Sequence, residues 1–145
     1  MVMLYISFKI PWLAAKFVLR GRDGKVDPVR TQRVFTPQAS QAMADFPGLI
    51  WKVWAISDDA RTGTGYYLFN SRADAQARAD YAKKYYPRDG LFHVRCQICE
   101  VLEDCSRVTR APIDLPANPG ITPEKYAKLC SEHRGIDLAK MLFKK

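Results

Sequence analysis

The chain has no long apolar run. None of its hydrophobic stretches approaches the ~20 residues a helix needs to cross a bilayer, so no membrane span is expected. Histidine is scarce, with only His93 and His133. There is no HxxxH spacing, no acidic cluster, no glycine-rich phosphate loop, no G-x-S-x-G and no nucleophile–base pair recognisable by motif. These absences argue against metal, nucleotide and hydrolase chemistry, and neither metal nor cofactor is expected. Specific nucleic-acid recognition lacks its RNP-like motif as well. Cysteine is thinly spread. Cys96 and Cys99 lie three apart inside an expected strand, so they point to opposite faces and cannot grip one metal. Cys105 and Cys130 have no partner at a useful spacing. Unpaired, scattered cysteines suit a reducing compartment, cytoplasmic or mitochondrial. The first expected strand begins near Met3, which leaves no room for a cleavable presequence.

Negative charge is also short. The 145 residues carry 23 Lys and Arg against 15 Asp and Glu, a formal net charge of +8. The excess is concentrated: residues 9–35 hold seven cations against two acids, and residues 107–145 hold eight against four. The rest is close to neutral. Two basic segments flanking a neutral body are either solvated loops or surfaces for an acidic partner, an anionic membrane or RNA.

What is present reads as one domain with an appendage. Leu4, Ile6, Phe8 and Ile10 alternate with Tyr5, Ser7 and Lys9, a half-buried strand. Residues 12–20 suit a short helix, and the basic stretch Gly21 to Arg33 reads as a loop. Thr36-Pro37 is a helix start, and Pro47-Gly48 stops that helix near Phe46. The next strand spans about 49–57, turns over Asp58 to Thr64, and returns over Gly65 to Asn70. Ser71-Arg72-Ala73-Asp74 resembles a capping box and opens a helix with the stripe Ala73, Ala77, Tyr81, Tyr85. A last strand runs from Leu91 to about Leu102. After Asp104, Pro112, Pro116, Pro119 and Gly120 impose an extended segment, and Thr122-Pro123-Glu124 caps a helix to about His133. Ile136 to Phe143 suits a final turn or two.

Strand, helix, strand, strand, helix, strand is the ferredoxin-like βαββαβ order of an antiparallel α+β sheet with both helices on one face. Trp51 and Trp54 must point to opposite faces. The alternation places Leu49, Trp51 and Val53 under the helices, and Ile50, Lys52 and Trp54 on the other face with Tyr5, His93, Arg95 and Gln97. Such an aromatic second face invites another sheet, most simply that of an identical chain.

PGLIWKVWAIS, GTGYYLFNSRADAQA and VRCQICEV together resemble the YdhR-type monooxygenases of the dimeric α+β-barrel superfamily, over the first strand and about residues 36–106. The resemblance implies a homodimeric barrel and a cofactor-independent monooxygenase acting on a small aromatic, phenol- or quinol-like substrate. It divides the chain into a core of residues 1–106, with a basic insertion at 11–35, and a basic arm at 107–145. The second sheet face then supplies the candidate chemistry: Trp54, Tyr66, Tyr67 and Tyr5 as walls, Lys52 and Arg95 as anion holders, and His93 as base by intrinsic pKa. Each has a plainer alternative. Trp54 suits an interface anchor, the tyrosines ordinary strand positions, Lys52 and Arg95 surface ion pairs, and His93 and His133 solvent-facing positions. The competing function is a non-catalytic barrel scaffold docked into a larger, mitochondrial or other, protein assembly through 11–35 and 107–145.

Overall fold

The structure, a computed structural model, describes residues 1–135. Strand β1 is Val2–Lys9. Helix α1, Trp12–Ala14, runs directly into a π-turn, Ala15–Leu19. Then come α2 (Pro28–Val34), α3 (Pro37–Ala44), β2 (Leu49–Ile56), β3 (Thr62–Phe69), α4 (Arg72–Tyr85), β4 (Phe92–Glu100), α5 (Glu103–Val108) and α6 (Pro123–Ser131). The four strands are antiparallel in the order β2-β3-β1-β4, and the helices α3 and α4 share one face, so the fold is ferredoxin-like α+β. The final turn expected at Ile136 to Phe143 lies outside the described residues.

The helix starts follow local chemistry. Thr36 accepts from the Ala39 N–H, Ser71 from the Asp74 N–H and Thr122 from the Lys125 N–H, each relieving an unpaired first-turn donor. The loop expected over Gly21 to Arg33 is half wrong. Asp27 caps α2 by accepting from the Val29 and Arg30 N–H groups, and Pro28 takes the first helical position. Helix α5 is likewise an addition to the extended segment expected there.

Under the helices lie Leu4, Ile6 and Phe8 of β1, Tyr67 and Phe69 of β3, and Leu49 of β2, all buried. Complete burial of Leu4 and Ile6 contributes about 1.5–3 kcal/mol each. Helix α4 presents Asp74, Ala75, Arg78, Ala79, Ala82 and Tyr85 to this core, not the expected stripe through Ala73 and Ala77. Alanines occur on both sides of α4, so hydrophobic periodicity alone does not fix its rotation.

The two tryptophans do face opposite ways, but on the reverse sides from those expected. Leu49 pairs with Phe69, yet Trp51 pairs with Leu68, so Ile50 is an extra residue in β2. That bulge exchanges the faces of everything after it. Trp51 and Val53 therefore lie on the face away from the helices, and Lys52 and Trp54 on the helix side.

The segment after α5 packs on this body. The Trp51 Nε1–H donates to the Pro112 carbonyl at 3.1 Å, and Ile113 is buried. Asn118 N–H donates to Leu49 O at 3.1 Å, and Gly48 N–H to Pro119 O at 2.9 Å. Leu68, on the face away from the helices, is 0% exposed. Asp74 accepts from the Ile121 N–H at 2.7 Å and the Ser71 hydroxyl at 2.8 Å. His133, expected to face water, instead stacks on Tyr85 at 3.9 Å, and its ring nitrogens meet the Tyr81 hydroxyl and Asp89.

Candidate functional site

The bulge in β2 brings Lys52 and Trp54 to the same face as Tyr67, whose strand neighbour across the ladder is Lys52. Opposite Trp54 stands Gly65, and a Cβ there would come within 2.6 Å of the Tyr67 ring. Gly65 therefore leaves the space in which that ring lies back along its own strand. Gly63 does the same for Phe8, whose ring would sit 2.4 Å from an added Cβ. Above this floor α4 lowers Arg78, which is 6% exposed.

Arg78 is the centre of the arrangement. Its Nη2 donates to the Tyr86 hydroxyl at 2.6 Å and to the Tyr67 hydroxyl at 3.4 Å. The rings of Phe46, Tyr67, Tyr81 and Tyr86 surround its guanidinium, with centroids 5.2–5.5 Å from the central carbon. No carboxylate pairs with it among the described residues, and its Nε is buried without a hydrogen-bond partner there. Lys52 brings a second cation: its ammonium lies 3.2 Å from the Trp54 ring centroid and 4.7 Å from that of Tyr67. Phe35, just after α2, meets Trp54 edge-on at 5.8 Å.

The electrostatics follow from two cations enclosed with phenols. Burial lowers Lys52 to about 8, the Tyr67 oxygen only partly opposing it. Burial by itself would raise the Tyr67 phenol, but the Arg78 and Lys52 charges outweigh it and bring Tyr67 down to about 8. Tyr86 goes the other way, raised well above the usual tyrosine range because burial dominates. Arg78 remains cationic: burial opposes its charge, but the Tyr67 and Tyr86 oxygens raise its pKa. The site thus holds one phenol lowered to about 8, one raised well above the usual range, a fixed cation and a titratable one.

The expected site residues are divided by the sheet. Lys52, Trp54 and Tyr67 belong to this cluster. Tyr5, Tyr66 and Arg95 lie on the opposite face, where the Tyr5 and Tyr66 rings meet at 5.3 Å. His93 is exposed at a second bulge, with φ of 49° and its ring against Phe92. Arg78 and Tyr86 are not apparent from motif. Their signal is a lone arginine inside the small-residue stripe of Ala75, Ala79 and Ala82, a position a solvated arginine would not occupy.

The four-stranded antiparallel sheet with helices α3 and α4 on one face places the chain in the ferredoxin-like α+β class. The family described as "Putative mono-oxygenase ydhR" matches residues 25–112, more than half of the chain, and the protein belongs to it. The match takes in α2 and residues 107–112, parts of the two basic segments that the resemblance had set outside the core, and it begins after β1, which the resemblance had included. No curated protein matches the chain.

Proposed function

We propose that the Lys52–Tyr67–Arg78–Tyr86 cluster is the active centre of a cofactor-independent monooxygenase that oxidises a small electron-rich phenol or quinol. The observation that carries this reading is Arg78. A guanidinium buried without a carboxylate is costly to a core that only has to pack, because its charge must be desolvated. The same arrangement serves a substrate that turns anionic in the site, since preset cations stabilise the charge as it forms.

In this reading Tyr67, as the phenolate, takes the proton from the substrate hydroxyl, the role the sequence suggested for His93. Arg78 and Lys52 hold the resulting oxyanion, Tyr86 keeps its proton and orients Arg78, and Trp54 with Phe35 walls the ring. The anion passes one electron to O₂, and the radical pair joins at a ring carbon as a hydroperoxide. Tyr67 returns the proton to the peroxide, and loss of water takes the single hydrogen of that ring carbon and leaves a carbonyl, so the phenol and one O₂ become a quinone and H₂O. The substrate is itself the reductant. Residues 1–106 carry the chemistry, and residues 112–119 pack along the edge strand β2. The chain works as a homodimer joined through the opposite face, where Val53 and Tyr66 are exposed beside Tyr5 and Arg95.

Oxygen uptake over a panel of phenols and quinols tests this, with protein dialysed free of metals and flavins. Uptake should rise with pH as Tyr67 ionises near 8 and decline as Lys52 gives up its charge over the same range, leaving Arg78 to hold the oxyanion. Tyr67→Phe should remove the rising limb and lower kcat by about 10²–10⁴-fold. Absence of uptake with every substrate, or an unchanged profile in Tyr67→Phe, sinks the proposal.

A further inference from the structure

The segment that follows β1 is apolar on both sides. Ala14, Ala15 and Leu19 turn inward and are buried in the core. On its outward side Trp12, Leu13 and Phe17 are 49%, 51% and 59% exposed. A helix apolar all round belongs inside something, and here only one side is covered. Lys16 lies among the exposed groups, its ammonium 4.8 Å from the Trp12 ring and 5.2 Å from the Phe17 ring. The antiparallel bridge between Arg20 and Val26 then closes a turn carrying Arg22 and Lys25 at the end of this helix.

The acids of this region are engaged in building its backbone. Asp23 accepts from the Lys25 N–H, and Asp27 accepts from the Val29 and Arg30 N–H groups. Among the described residues none of the seven Lys and Arg side chains between 9 and 35 is paired with a carboxylate. Lys16 thus shares its surface with the bulky apolar side chains, and Arg22 and Lys25 are exposed on the turn that follows.

We infer that Trp12, Leu13 and Phe17, with Lys16, Arg22 and Lys25, form a docking surface for an anionic lipid bilayer. Trp and Phe insert at the headgroup–acyl boundary, while lysine stems run along apolar surface and keep their ammonium groups at the phosphates. Charge complementarity selects this occupant over a second copy. A two-fold contact would bring each Lys16, with its neighbouring cations, against the same cations of the other chain. The inference stands apart from the proposed chemistry, since it uses none of the cluster residues.

Co-sedimentation with vesicles tests it. Vesicles of phosphatidylcholine containing about a third phosphatidylserine should retain the protein, whereas pure phosphatidylcholine should not. Trp12→Ala with Phe17→Ala should abolish retention, because both side chains are outward-facing and their loss leaves the core intact. Lys16→Glu with Arg22→Glu should weaken it by at least fivefold for each charge, and added salt should do the same to the wild-type protein. Lys83→Glu with Lys128→Glu, exposed cations elsewhere, should leave retention unchanged. Circular dichroism confirms that each variant is folded. Equal retention of wild type and Trp12→Ala/Phe17→Ala overturns the inference, as does retention on neutral vesicles or none on either. A fall in oligomer mass by light scattering in that double variant assigns the patch to a second copy and likewise overturns it.

Discussion

Lys52 and Trp54 stand two residues apart on β2, and the Lys52 ammonium lies 3.2 Å from the Trp54 ring centroid. Alternate residues of a strand share a face, so this contact requires only that both point toward the helices. They do so because Ile50 is an extra residue in the strand. The contact holds a cation beside Tyr67 in surroundings that disfavour its charge, which is how a lysine and a phenol come to ionise in the same range.

Replacing Arg78 separates stability from chemistry. Arg78→Met keeps much of the volume and removes a buried charge whose Nε has no partner among the described residues. Stability to urea should change by less than about 1 kcal/mol or increase. Oxygen uptake should fall by about 10²-fold or more, as for loss of an oxyanion donor. With its principal neighbouring cation gone, burial governs Tyr67, and ultraviolet titration should find its phenol raised above about 8.

Stability should depend on pH through the same pair. Lys52 falls from 10.5 to about 8 on folding, and Tyr67 from 10.0 to about 8. Between about 8 and 10 the unfolded chain therefore holds more protons at these two groups than the folded one. Their contribution to stability rises with pH across that window and is lost as pH falls through 8. Urea midpoints at a series of pH values should show this rise in the wild-type protein and a flatter course in Lys52→Met and Tyr67→Phe.

Gly65→Ala should cost stability despite adding a single carbon. The new Cβ would meet the Tyr67 ring at 2.6 Å, so either the ring or the strand must shift. Overpacking of this kind costs about 1–3 kcal/mol. Displacement of Tyr67 should also move the pH profile of oxygen uptake. A stable variant with an unaltered pH profile would show that the ring has space elsewhere.

Asp74→Ala tests how the segment after α5 is held. The Asp74 carboxylate accepts from the Ile121 N–H and the Ser71 hydroxyl, and the residue is 3% exposed. Leaving a buried donor unpaired costs about 1–3 kcal/mol. Thermal unfolding should show that loss, and limited proteolysis should cut first between Pro112 and Thr122.

Much of the frame is written in local chemistry. Thr36-Pro37, Pro47-Gly48 and Thr122-Pro123 mark ends by backbone rules that need no tertiary contact, and each lies where those rules place it. The hairpin and the element order follow equally from alternation and turn residues, and with them the ferredoxin-like topology. Asp27-Pro28 carries the same kind of signal, overlooked within a stretch whose charge and glycines read as loop.

The site was legible only in part. Lys52, Trp54 and Tyr67 are recognisable as chemistry-bearing residues on adjacent strands, but Tyr5, Tyr66 and Arg95 look equally suitable. Which group shares a face is decided by one inserted residue, Ile50, and a bulge is a matter of how two strands pair. The rotation of α4 is decided in the same way. Its alanines fit either side, and packing against Tyr67 and Phe46 turns Arg78 inward. Local sequence thus determined which elements form and in what order, because caps, turns and alternation act over a few residues. Only the tertiary structure determined which faces meet, because register and helix rotation are settled by contacts between segments distant in the chain.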